Sequence, residues 1–178
     1  MSVRFIRFFW LACLLVFAGC SSDDPEPLGT ITMVSIDFVN VNDPSDASTA
    51  SFSNANGQET NVAAVLKSNV TYEVQVSVFD ESQSVRATLT SEILNRGNEY
   101  RAFIDIGDGE FIPTDRDSNG FPIGLTGTFT ASGRSTTTLS FSLFSKFDKA
   151  TYEARQYMNV REFGTLEFLF SNTLIILP

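Results

Sequence analysis

Asp115-Arg116-Asp117-Ser118-Asn119-Gly120 has the spacing of a cation-binding loop, with oxygen-bearing side chains at alternate positions and a glycine at the turn. Asp115, Asp117 and Asn119 are the candidate metal ligands, and calcium is the ion that an all-oxygen set of this kind favours. A full EF-hand loop would place a bidentate Glu at its twelfth position, which here is Thr126. Asp105, Asp108 and Glu110 can stand in for it if the preceding loop folds alongside. The alternative reading is an Asx-rich turn between strands, because Asp, Asn and Gly favour such turns with or without a metal.

The run Asp105-Ile106-Gly107-Asp108-Gly109-Glu110 offers carboxylates that, facing each other across a cleft, would supply the acid and base of glycoside hydrolysis. Its alternative is a hairpin with solvated acids. Ser145-Lys146 is a weaker nucleophile–base candidate, since adjacency in sequence brings no mechanism and both residues read as solvent-facing at a strand end. Tyr100, Tyr152 and Tyr157, with Arg101, Arg155 and Arg161, fall outside regular alternation and form a candidate ligand or partner surface; ordinary packing is the competing account.

What is missing narrows the chemistry further. The chain contains no histidine, so a Ser-His-Asp triad and histidine-ligated zinc, copper or haem are excluded. Its two cysteines, Cys13 and Cys20, lie near the N-terminus, which leaves no thiol nucleophile or disulfide for the domain. The formal net charge is −9, and an acidic chain is a poor partner for nucleic acid. The reading is therefore of a protein that is not an enzyme, with no cofactor beyond calcium implied.

These residues must be positioned by strands. Val70, Tyr72, Val74, Val76 and Val78 alternate with polar Thr71, Glu73, Gln75 and Ser77, the pattern of a strand with one wet face. Val34-Ile36-Phe38, Leu139-Phe141-Leu143 and Leu166-Phe168-Phe170 repeat it, and further strands are expected over Arg101–Ile106, Ile123–Ala131 and Thr173–Leu177, the last buried on both faces. Thr90 to Arg96 breaks the pattern and reads as a short helix capped by Thr90 and stopped by Gly97. Residues 40–61 read as a long loop with one weak strand at Ala50–Ser53. Four of the seventeen phenylalanines (Phe5, Phe8, Phe9 and Phe17) belong to the N-terminal segment, and most others sit at inward strand positions. The expected fold is all-β, an immunoglobulin-like antiparallel β-sandwich of about seven strands with one short helical insert, occupying residues 29–178.

The N-terminus carries a different message. Arg4 and Arg7 precede an apolar run from Phe8 to Phe17, too short for a permanent membrane span and read as a signal peptide over residues 1–19. Val16-Phe17-Ala18-Gly19-Cys20 resembles a lipobox, with Phe17 in place of the usual Leu, which makes Cys20 the lipidation site. Residues 20–28 then form the lipidated cysteine and an acidic, proline-bearing tether. Ser21 rather than Asp follows the cysteine, and Ser21-Ser22-Asp23-Asp24 resembles the surface-export signal of Bacteroidota lipoproteins. The implied address is the outer membrane, lipid-anchored and facing the cell surface.

From Leu66 to Phe147 the chain resembles a family of uncharacterised Bacteroidota lipoproteins commonly labelled with a type 1 periplasmic-binding fold. The residues that carry the likeness are Thr71-Tyr72, Asp80-Glu81-Ser82, Thr90-Ser91-Glu92-Ile93, Asp117-Ser118-Asn119-Gly120, Pro122-Ile123-Gly124-Leu125, Thr128-Phe129-Thr130 and Thr138-Leu139. The label's fold needs alternating helices and strands, which this chain lacks. The family's Glu-His-Gln and Arg-His-Glu-Pro stretches are here Asn98-Glu99-Tyr100 and Phe144-Ser145-Lys146, so a histidine site does not carry over. The resemblance implies an accessory to a TonB-dependent outer-membrane transporter, binding a ligand or partner. A calcium-stabilised structural or adhesive surface module is the alternative, and a carboxylate hydrolase the third reading.

Overall fold

The computed structural model describes residues 27–55, 57–82, 85–107, 109–155 and 159–178. The signal segment, Cys20 and the tether as far as Glu26 lie outside the described residues, as do Asp108 and Tyr157.

Alternation dictates the two central layers. In β1 (Met33–Asn40) and β5 (Val70–Asp80) the inward residues Val34, Ile36, Phe38, Val76 and Val78 are wholly buried, and the strands pair antiparallel. On the other layer, β10 (Ser135–Ser145) turns Leu139, Phe141 and Leu143 toward them, flanked by Ala102, Ile104 and Ile106 of β7 (Arg101–Ile106). These faces close on each other as one apolar core, the arrangement that removes most apolar area from water. Tyr72 reaches through the core with its ring and accepts the Lys67 N–H on its hydroxyl at 2.8 Å, so its polar end is met.

The chain is an all-β sandwich. Eleven strands are present among the described residues, more than the seven that sequence implies. The larger sheet runs β3-β2-β1-β5-β9-β8, with β2 Asp43–Ala55, β3 Gln58–Val62, β9 Thr126–Ala131 and β8 Phe111–Pro113; β6 (Ala87–Thr88) pairs with β5 beyond the end of β9. The smaller sheet runs β4-β11-β10-β7, with β4 Ala64–Lys67 and β11 Thr165–Leu177. β4 lies parallel to β11, a departure from purely antiparallel pairing. Only Ala63 separates β3 from β4, so the chain crosses directly from one sheet to the other along this edge. Asn172 reinforces the crossing by donating its amide to the carbonyls of Ser51 (3.3 Å) and Val62 (2.6 Å).

Three local expectations are corrected. Residues 40–61 are not a loop but the β2–β3 hairpin, turned at Gly57 with φ +75° and held by pairing of Ser51–Ala55 with Gln58–Val62. The end of β11 is not buried on both faces: Leu174 and Ile176 are buried while Leu177 is exposed, ordinary alternation at the side of a sheet. Leu166, expected on one face with Phe168 and Phe170, is turned away, because Leu143 pairs with Phe168 and Phe144 with Leu166, leaving Glu167 as the extra residue of a bulge.

The helical insert is α1, Thr90–Asn95, ended before Gly97 as expected. Thr90 does not cap it. Its hydroxyl accepts the Val78 N–H at 2.9 Å, which ties the helix start to β5, and Leu89 takes the cap position without a side-chain bond. A second helix, α2 (Lys149–Ala154), and a 3-10 turn at Val160–Glu162 were not signalled by the sequence.

Candidate functional site

The Asp115–Gly120 segment lies between β8 and β9 and is wired by its own backbone. Asp115 accepts three N–H groups, from Gly124 and Leu125 at 2.7 Å and Thr126 at 3.1 Å. Thr126, at the twelfth position of the calcium pattern, thus meets the first-position carboxylate through its main chain. Asp117 Oδ1 accepts the N–H groups of Asn119 (2.9 Å) and Phe121 (3.0 Å), an Asx-turn that Gly120 completes at φ +84°. Asn119 turns its amide toward Asn98 Oδ1 at 3.4 Å. Gly124, at φ +95°, packs against Ala102, where a Cβ would run into the Ala102 carbonyl; this close approach holds the loop against β7.

A cation already answers the remaining oxygen of Asp117. Lys149 Nζ, at the first position of α2, lies 2.9 Å from Asp117 Oδ2 and donates to the Gly97 carbonyl at 2.6 Å, with the two side chains 5% and 1% exposed. Burial would raise the Asp117 carboxyl, but the Lys149 hydrogen bond and the N–H groups of Phe121 and Asn119 outweigh it and hold the group below the ordinary carboxylate range. Burial in turn pushes the Lys149 ammonium down, with Asp117 opposing. Among the described residues, no three His, Cys, Asp or Glu side chains gather where they could hold a metal ion.

The helix that delivers Lys149 is positioned by aromatic packing. Phe144 follows Leu143 on β10 and so points to the opposite face of the small sheet, beside outward-facing Phe103 of β7. Phe147, Tyr152 and Phe163 complete a second apolar cluster there, with Tyr152 5.5 Å from Phe103, 5.3 Å from Phe147 and 5.4 Å from Phe163 by ring centroid. Asp148 caps α2 by accepting the Thr151 N–H at 3.0 Å, and this bond holds its carboxyl below the usual range.

Between this cluster, the end of β8 and the 116–122 hairpin lies a recess of about 600 Å³. Its walls include Phe103, Phe111, Phe121, Pro122 and Tyr152, and its charged members are Arg101, Arg116, Glu110 and Glu153. Arg101 opens β7 and is 7% exposed, yet its Nε and Nη1 are buried with no hydrogen-bond partner among the described residues. Its guanidinium carbon sits 4.9 Å from the Phe103 ring centroid. Burial lowers the affinity of the group for its proton, and the charge of Glu153 is the largest opposing influence. Arg116, by contrast, donates from Nη1 to the carbonyls of Pro113 and Asp115, both at 2.9 Å, which fixes it at the rim. The recess therefore offers two fixed positive groups, one with buried donors unmet, between aromatic surfaces. It can hold an oxygen acceptor but has no histidine, cysteine, serine or lysine among its described lining for nucleophilic work.

The other sequence-derived candidates disperse. Asp105 is exposed on the outer side of β7, and Glu110 is exposed at the mouth of the recess. Ser145 is buried rather than solvent-facing and donates its hydroxyl to Glu167, while Lys146 is exposed at φ +50°; both border one hollow with Tyr100 and Glu99, where the Ser145 hydroxyl is committed to the Glu167 carboxylate. Tyr100 is buried on the far side of Arg101, against Arg96. Arg155 stacks over Phe163, and Arg161 lines a separate groove with Leu166 and Leu169. Of the six aromatic and arginine candidates, Arg101 and Tyr152 meet in the recess. Lys149, Glu153 and Phe121 carried no sequence signal; Asp148, a helix-capping residue just before Lys149, was the one available hint of α2. Comparison with known proteins gave no match to a family model, to a curated protein or to a solved structure.

Proposed function

We propose that this protein is a non-enzymatic, lipid-anchored binding domain of the outer-membrane surface that captures a small ligand as accessory to a TonB-dependent transporter. The observation that carries the reading is the Arg101 recess, a concave aromatic site with convergent polar groups and no histidine, cysteine, serine or lysine in its described lining. The lipobox-like run ending at Cys20 and the acidic tether support the anchor, and the family resemblance supports the transporter association. The missing histidine and the absence of a catalytic cysteine beyond the N-terminal segment support binding without turnover.

The test is a thermal-shift screen of the full-length protein in detergent against sugars, amino acids, organic acids and nucleosides, with Phe121→Ala as the recess control. Ligands that raise the melting temperature of the wild type and not of the variant are expected. A screen in which no compound distinguishes the two proteins removes the reading.

A further inference from the structure

Resting on that reading, we infer that the Arg101 recess takes a singly charged carboxylate attached to a flat, apolar body, an aryl carboxylate being the simplest member of the class. A guanidinium held in an apolar wall with unmet donors is costly unless an acceptor answers it, and a carboxylate is the acceptor its planar geometry matches best. Charge count chooses among oxyanions. Arg101 and Arg116 balance Glu110 and Glu153 around the recess, in a chain of net charge −9, so one added negative charge is tolerated where the two of a phosphate would be opposed. The rings of Phe111, Phe121 and Tyr152 supply the surface for an apolar body. A volume of about 600 Å³ lies within the ordinary range for small-molecule sites.

Arg101 is the recognition residue in this proposal. Glu153 answers its charge through space, but Nε and Nη1 stay without a hydrogen-bond partner among the described residues, so a ligand carboxylate gains a charge-assisted bond without displacing an established partner. Arg116, fixed by two backbone carbonyls, sets the second boundary of the site.

Calorimetry on the full-length protein in detergent, blanked against empty micelles, tests this with 4-hydroxyphenylacetate and with tyrosol, the same molecule with its carboxyl reduced to an alcohol. Inorganic phosphate serves as an oxyanion without an apolar body. Saturable binding of the acid is expected, weaker by at least about tenfold for tyrosol and, with the acid, in Arg101→Met. Phosphate should give no measurable heat. Arg101→Met should keep or raise the melting temperature, so lost binding cannot be ascribed to lost fold. Equal affinity for acid and alcohol, unchanged binding in Arg101→Met, or tight phosphate binding would each overturn the proposal. A neutral ligand whose binding is lost in Phe121→Ala and retained in Arg101→Met would overturn the carboxylate class alone. Failure of every probe and every compound of the thermal-shift screen to sense Phe121→Ala would overturn the binding reading with it.

Discussion

Two charged regions sit side by side at one edge of the sandwich and are built on opposite terms. In the Asp115–Gly120 loop each carboxylate is answered from within the chain, Asp115 by three N–H groups and Asp117 by two N–H groups and Lys149. In the recess next to it, Arg101 is as deeply buried as Lys149, yet two of its nitrogens are left without partners. The first region has the composition of a ligand site and the connectivity of a structural one. The second has no motif and carries the open valence. Composition reports which groups are present; only the fold decides which of them remain available.

The comparison breaks most sharply under substitution of the two buried cations. Lys149→Met should destabilise the protein by about 3–5 kcal/mol, because Asp117 and the Gly97 carbonyl would be left buried without their donor. Arg101→Met should cost nothing measurable in the same chemical denaturation experiment. Similar losses in both variants would erase the distinction. Asp115→Ala comes next: three backbone N–H groups would lose a charged acceptor, with a loss of about 2–3 kcal/mol and a lower melting temperature.

A smaller effect is expected from acid. The Asp117 carboxyl is held below its unfolded value, so its contribution to stability is fully present above about pH 4 and is lost as pH falls through the lower, folded value. Urea midpoints measured from pH 6 downward should therefore decline more in the wild type than in Asp117→Asn. The smallest expected effect is that of calcium. With Lys149 already on Asp117, adding calcium or a chelator should leave the melting temperature unchanged; a calcium-dependent rise would mean that the ion displaces the ammonium, and would merge the two regions into one kind of site.

The layers of the sandwich were legible wherever alternation involved large residues. Val70 to Val78 and Leu139 to Leu143 declare their buried face because a one-residue slip would expose all of it. The β2–β3 hairpin was hidden because Asp43–Ala55 is written in Ser, Asp, Ala and Asn, which propensity assigns to loops, while its structure comes from eight pairings to β1. The Asn56-Gly57 dipeptide was the available sign of that hairpin. The Glu167 bulge was hidden for another reason: it changes facing without changing residue types. As for the site, the sequence identified Arg101 and Tyr152 as irregular residues worth a surface. It could not pair them, since they meet only when β10 ends, the chain turns at Lys146 and α2 folds back over Phe103.

One edge of the sandwich is bound like the spine of a book. Ala63 carries the main chain from the large sheet to the small one, and Asn172 stitches the same margin to Ser51 and Val62. At the opposite margin the chain also passes between the sheets, from β7 to β8, but four residues separate those strands, and Ile106 and Gly109 form an isolated bridge there. The spine is thus the shorter of the two tethers, one residue against four, and it leaves the sheets least slack to slide past one another on the side away from Arg101.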